Sequence, residues 1–355
     1  MDWLFIDQLN PDRKAQAAGL KELASELDRL TGSLDLVGLP GGAAAFVLAQ
    51  AAVRNRRLLV ITPNPGSAEA LALDLKFFLG EDSPVRVSLF PPYDHLPFGQ
   101  VEAHPWTVAR RIRCLWLLSS SQEPVVAVAP VQSLLLRVMP RQVLTNFAEL
   151  ILEGEELDRE GLIAKLVSGG YSPTALVEEP GDMAVRGGIV DVFGPHDDEP
   201  LRLEFFGDFV DSLRLFKPHD QRSVKRLKES VLLPMSEVVL DQASLDRGRH
   251  NLARLEADPA KILTLRQPLT QGQPFPGIES FLPLFYQTSH GLWDYLDQDG
   301  LVCLMDPAGV EKSGQEHLQN LKERQRRLAP SSKSAPWKCW SLAGGSISTA
   351  GRPRV

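Results

Sequence analysis

Leu34-Asp35-Leu36-Val37-Gly38-Leu39-Pro40-Gly41-Gly42-Ala43-Ala44-Ala45 is the stretch whose reading decides the fold. A short apolar run leads into a Gly/Pro turn, and an alanine-rich helix follows to about Arg54. Strand, glycine loop and helix in that order are the frame of a phosphate loop, whose pattern is G-x-x-x-x-G-K-S/T. Gly38, Gly41 and Gly42 keep the frame, but Ala43 stands at the second glycine of the pattern. Ala44 replaces the phosphate-binding lysine and Ala45 the magnesium-binding hydroxyl. Backbone amides at a helix start still attract anions. Without the lysine and the metal ligand, phosphoryl transfer has nothing to stabilise its charge. On the loop alone, an ordinary strand-to-helix turn is an equal reading. Asp306, after the apolar run Leu301–Met305, has no acidic neighbour of a second ATPase motif and reads as a helix cap.

Outward from this loop the same texture repeats. Leucines at 20, 23, 27 and 30 mark a helix from Pro11 to Thr31. Leu58–Thr62, Val85–Phe90 and Val125–Ala129 read as strands. Helices lie between them, one capped by Ser67 and running to Leu79, another from Trp106 to Ser119. Continuous apolar strands alternating with helices predict a parallel sheet covered on both faces.

After about Arg141 the pattern changes. A helix from Asp158 to Val167 precedes short alternating strands at Gly188–Phe193, Leu201–Phe206, Phe209–Phe216 and roughly Val224–Leu233. Gly194-Pro195 breaks the first, and Gly207-Asp208 is a tight hairpin connection. These predict an antiparallel meander. From Ser236 the α/β pattern returns, with helices at Leu245–Leu255 and from Pro276, a strand at Leu301–Met305 and a polar helix at Val310–Leu328. The expected architecture is therefore an α/β, parallel-sheet, helicase-like domain with a degenerate nucleotide site and a small inserted α+β antiparallel domain. Its parts are residues 1–140, the insertion at 141–234, the second part of the α/β domain at 235–330, and a small, basic, Gly/Ser-rich tail at 331–355 expected to be disordered.

Composition narrows the function. The chain has 355 residues, 43% hydrophobic and 23% charged, with a net charge of −7. That acidity counts against a module whose affinity comes from a basic face on nucleic acid. Three scattered cysteines form neither a metal spacing nor a disulfide framework. The start of the chain lacks the cationic and long apolar regions of a signal peptide, and no run of apolar residues suits a membrane span. A cytoplasmic protein without cofactor or metal is expected. No nucleophile elbow or zinc-helix motif occurs. The adjacent pair Asp94-His95 sits in a Pro-rich loop and suits a turn better than catalysis.

The insertion carries the positive signal. In Leu201-Arg202-Leu203-Glu204-Phe205-Phe206, alternation sends Leu201, Leu203 and Phe205 to one face and Arg202, Glu204 and Phe206 to the other. An aromatic beside an arginine on an outward face has the composition of an interface hot spot. Arg186, read as standing just before a strand, lies close in sequence. The alternative is that the α/β domain covers Phe206 and the arginines pair with Glu204 and Asp208.

Four stretches taken together resemble a known family. They are Phe90–Phe98, Ala184–Phe193, Leu201–Phe216 and Pro276–Phe285. The resemblance, from about residue 10 to 328, is to the UvrB-like N-terminal module of the bacterial transcription-repair coupling factors (Mfd), a module similar to the excision-repair protein UvrB. It implies a UvrB-like fold without an ATP site, and an inserted domain that recruits the damage-recognition protein UvrA. The family's contact residues fall on Arg186, Arg202 and Phe206. The resemblance also implies that RNA polymerase and DNA are engaged through further domains that this chain lacks, so that alone it neither translocates on DNA nor displaces polymerase. In the intact family a C-terminal domain masks the UvrA-binding face. UvrB's long DNA-gripping hairpin has no room between Phe98 and Trp106. The rival reading is a UvrB-like ATP-dependent DNA-binding repair enzyme, which the missing lysine argues against.

Overall fold

The structure is a computed structural model that describes residues 2–7, 33–39, 41–53, 57–95, 101–196, 198–254, 259–288, 290–297 and 300–328. The helix expected at Pro11–Thr31 and the tail 331–355 lie outside these residues.

Strands β1 (Asp2–Asp7), β2 (Ser33–Val37), β3 (Leu58–Thr62), β4 (Arg86–Leu89), β5 (Val125–Pro130) and β14 (Leu301–Met305) form one six-stranded sheet in the order β2-β1-β14-β3-β5-β4. Every pair in it is parallel. β14, which follows the insertion, takes a place between β1 and β3, so the sheet closes only when the late segment returns. β3, β5 and β14 are buried along their whole length because helices cover both faces. On one side α1 (Ala43–Ala52) and α2 (Pro65–Leu79) pack Leu48, Leu71 and Leu75 on Leu58, Val60 and Val128. On the other, α3 (Pro105–Ser120) sets Ile112 and Leu115 in a core with Leu59, Ile61 and Ala127. Successive residues of β3 thus serve opposite cores, as the pleat requires.

Between β5 and β14 the chain builds the antiparallel layer. α4 (Arg159–Ser168) buries Leu162 and Leu166 on a second six-stranded sheet. That sheet runs in the order β12-β11-β10-β9-β8-β7 and is antiparallel except for β7 (Ser172–Pro173) beside β8 (Asp182–Arg186). β9 is Ile189–Val192, β10 Leu201–Phe206, β11 Phe209–Phe216 and β12 Ser223–Leu227. α3 ties the two layers together. It contributes Ala109 to the second core, sets Trp106 edge-on against Phe193 at 5.6 Å, and pairs Arg113 with Asp198 at 2.7 Å.

Four expectations need correction. The cap of α2 is Asn64, whose side chain accepts from the Ser67 amide at 2.9 Å. Pro65 occupies the first helical position, where its fixed φ suits it, so the helix starts before Ser67. The single strand expected over Val224–Leu233 is two. β12 stays on β11, and β13 (Glu229–Leu232) crosses to pair with β6 (Glu149–Leu152) in a sheet of its own. Arg186 stands before a strand, as expected, but it also ends β8, which the expectation lacked. Gly187, at φ 59°, and Gly188 then turn the chain into β9. The N-terminal Trp3-Leu4-Phe5-Ile6 run, read only as an absent signal peptide, lies in β1. Asp306 does cap its helix, α5 (Pro307–Leu328), accepting from the Gly309 amide at 3.0 Å.

Gly188 is held by space as well as by its turn. A Cβ there would stand 2.6 Å from the Phe205 carbonyl oxygen, and the Phe205 amide donates to the Gly188 oxygen at 2.7 Å. Gly188→Ala should therefore cost about 1–3 kcal/mol, the range for overpacking against atoms that cannot swing away. Denaturant titration reads this, and an unchanged midpoint contradicts it.

Candidate partner-binding site

β10 alternates as its sequence requires. Leu201 and Leu203 are buried, and Phe205 is partly buried against the same core. Arg202, Glu204 and Phe206 face the opposite way. Phe206 is 84% exposed, so the alternative in which the α/β domain covers it does not hold. A register shift lies between Glu204 and Phe205, and at the hairpin tip Phe206 faces Phe209 across the turn.

The arginines are paired, but with neither Glu204 nor Asp208. Register places Asp191 of β9 between Ala184 of β8 and Arg202 of β10. Arg202 grips that carboxylate with two nitrogens, Nε to Oδ1 at 2.7 Å and Nη2 to Oδ2 at 2.8 Å. Arg186 reaches the same Oδ2 from the end of β8. The Asp191 side chain is completely buried, that of Arg202 is 16% exposed and that of Arg186 is 46% exposed. Phe216 lies under the Arg202 guanidinium, ring centre 4.6 Å from Cζ. The hydrogen bond to Asp191 raises the Arg202 pKa further above its ordinary value. Glu204 is occupied by Ser212 and by Arg214 at 3.4 Å. Arg186, Arg202 and Phe206 thus share one face of one sheet, with Arg186 and Phe206 as its accessible parts. Asp191 was not singled out from the sequence. Its signal was a lone carboxylate among Ile189, Val190 and Val192, in phase across strands with Arg202.

The glycine loop is elsewhere, on the parallel sheet. Gly38 and Gly41 take φ values of 77° and 56°, and Gly42 caps α1 without a side-chain hydrogen bond. Ala43 opens the helix and is partly buried, while Ala44 and Ala45 are each 1% exposed and face the core. The Phe78 ring stands 3.0 Å from where a Cβ on Gly42 would lie and meets Phe46 edge-on at 5.6 Å.

Asp94 and His95 part company. Asp94 accepts from the His104 amide at 2.9 Å and from Thr107 Oγ1 at 2.6 Å, tethering the start of α3. His95 Nε2 lies 2.9 Å from Glu279. Close by is a buried ion pair that sequence reasoning missed. Arg111 Nε meets Glu237 Oε1 at 2.6 Å, with both side chains completely buried. The guanidinium is sandwiched between the rings of Phe90 and Tyr93, each 4.1 Å away, and Nη1 donates to the Pro91 oxygen at 2.8 Å. The Tyr93 hydroxyl donates to Glu237 at 2.8 Å, and burial holds its pKa well above the ordinary value. Cys114 is buried, which pushes its thiol up to about 12. Among the described residues there is no cluster of His, Cys, Asp or Glu that could hold a metal ion, and no helix long and apolar enough to cross a membrane.

Residues 150–238, which contain Arg186, Asp191, Arg202 and Phe206, match the family model of the UvrB interaction domain. The chain is 34% identical over 290 residues to a transcription-repair-coupling factor of Myxococcus xanthus, covering 78% of this chain and 24% of that protein. It is 29% identical over 307 residues to the one of Haemophilus influenzae, covering 84% and 26%. To that of Escherichia coli K12 it is 31% identical over 252 residues, covering 70% and 21%. The chain spans about a quarter of the length of these curated relatives. With a parallel sheet interrupted by a UvrB-type interaction domain, it is homologous over most of its length to the UvrB-like N-terminal module of the bacterial transcription-repair coupling factors.

Proposed function

We propose that the chain is an adaptor of transcription-coupled nucleotide excision repair, which recruits UvrA through the outward face of β8–β11 and turns over no ATP itself. The observation that carries this is Phe206, a large aromatic left 84% exposed on a sheet whose other face is core, with Arg186 exposed on the same face. Exposed aromatics and arginines grouped this way are what hot spots are made of. On this reading the inserted domain spans 141–234 and the α/β domain around it, 1–140 with 235–330, is its rigid mount.

The glycine loop supports the second half of the proposal. Ala44 and Ala45 point into a packed core, so a lysine or hydroxyl at these positions would leave it only by disturbing α1. Ala44→Lys should therefore lower stability by at least about 1 kcal/mol without creating ATP affinity. Thermal melting and ATP titration of this variant check both halves. The test of the function itself is calorimetric titration of the chain with purified UvrA and, separately, with Mg-ATP. Saturable binding of UvrA and none of ATP is expected. ATP binding without UvrA binding would favour a UvrB-like enzyme instead.

A further inference from the structure

We infer that Asp191 is a positioning residue of the docking face: it fixes Arg186 and Arg202 before any partner arrives, leaving one net positive charge for a single partner carboxylate beside Phe206. This rests on the UvrA-docking reading above and deepens it.

Asp191 is a carboxylate with no exposure, in a strand otherwise made of Ile189, Val190 and Val192. A buried charge of that kind survives only when fully paired, and here three arginine nitrogens satisfy it. The two arginines are held unequally. Arg202 is gripped by two nitrogens, stacked on Phe216 and largely covered. Its fork geometry is spent inward, and little of it remains for a partner. Arg186 commits only Nη2, and nearly half of its side chain faces solvent. Arg186 is therefore the arginine a partner meets, and Arg202 with Asp191 is the bracket that aims it. Ordering such a side chain in advance removes part of the entropy cost of binding.

Charge completes the description. Two guanidinium groups against one carboxylate leave a single positive charge, and Glu204 is already engaged by Ser212 and Arg214. One carboxylate on the partner balances it. Phe206, on the same face toward the hairpin tip, calls for an apolar socket next to that carboxylate.

The experiment is a double-mutant cycle on UvrA affinity in the full chain, with folding checked by circular dichroism. Asp191→Asn should weaken binding about tenfold, the lower end of the roughly 10–100-fold loss seen when a residue that orients a metal ligand is removed. In an Arg186→Ala/Arg202→Ala background the same change should have no further effect. An equal loss in both backgrounds means that Asp191 only holds the strand, and overturns the inference. If Arg186→Ala and Phe206→Ala leave UvrA affinity unchanged, it is the docking reading that fails. Should Asp191→Asn not fold, nitrogen-15 NMR of the unmodified chain decides. A slowly exchanging Arg202 Nε–H signal is expected in the free protein, and a signal that forms only once UvrA is added overturns the inference.

Discussion

Glu237→Leu lowers the free energy of unfolding by about 3–5 kcal/mol, the cost of leaving a buried charge without its partner. Arg111 has nowhere to take its guanidinium. The rings of Phe90 and Tyr93 close both faces, and its side chain has no exposure. Loss of the carboxylate also removes the acceptor of the Tyr93 hydroxyl and of the Met139 amide at 3.3 Å. The position magnifies the effect. Glu237 lies just after β13, where the chain re-enters the α/β layer, and Arg111 is on α3, the helix that both layers share. The damage should therefore extend to the seating of the inserted layer. Arg111→Met combined with Glu237→Leu should recover much of the loss, because two apolar side chains replace a pair instead of orphaning half of it. Denaturant titration measures all three proteins, and a loss below about 1 kcal/mol for Glu237→Leu contradicts the account.

Phe206→Ala lowers the affinity for UvrA by about 2 kcal/mol or more, roughly a thirtyfold rise in Kd, and leaves the melting temperature unchanged. The two halves of this expectation come from one fact. A ring that is 84% exposed adds nothing to the core that α4 and the sheet enclose, so its truncation leaves no cavity. Binding buries that ring, and truncation then forfeits the burial. Arg186→Ala should behave in the same way, since Arg186 is the exposed arginine. Arg202→Ala should differ by losing stability as well, because it uncovers Phe216 and leaves Asp191 with one partner. Parallel calorimetry and thermal melts separate these patterns. A Phe206→Ala protein that melts much lower than the parent shows that the ring is structural.

Much of this was legible in the sequence, for physical reasons that can be named. β3 and β14 were read residue for residue, because a strand buried on both faces is an unbroken apolar run with polar turns at its ends. β10 and β11 were equally plain, since a two-residue Gly207-Asp208 connection fixes their register. The outward trio followed from alternation alone. The division between β12 and β13 was not legible. Val224 to Leu233 reads as one strand, and only pairing with the distant β6 pulls Glu229 onward away from β11. β8 was missed because Asp182-Met183-Ala184-Val185-Arg186 is short and mixed, and takes its strand form from neighbours on both sides. Asp191 required knowledge of which residues face one another across three strands. The pairing of Arg111 with Glu237 spans 126 positions, and no local pattern marks it.

The claim that the β8–β11 face is the docking surface is tested most directly by hydrogen–deuterium exchange of the chain with and without UvrA. Protection on complex formation should centre on 184–189 and 201–210, with the α1 and α2 faces of the parallel sheet unchanged. Protection confined to those helices, with the two hairpins exchanging as in the free chain, would place the partner on the wrong side of the molecule and contradict the account.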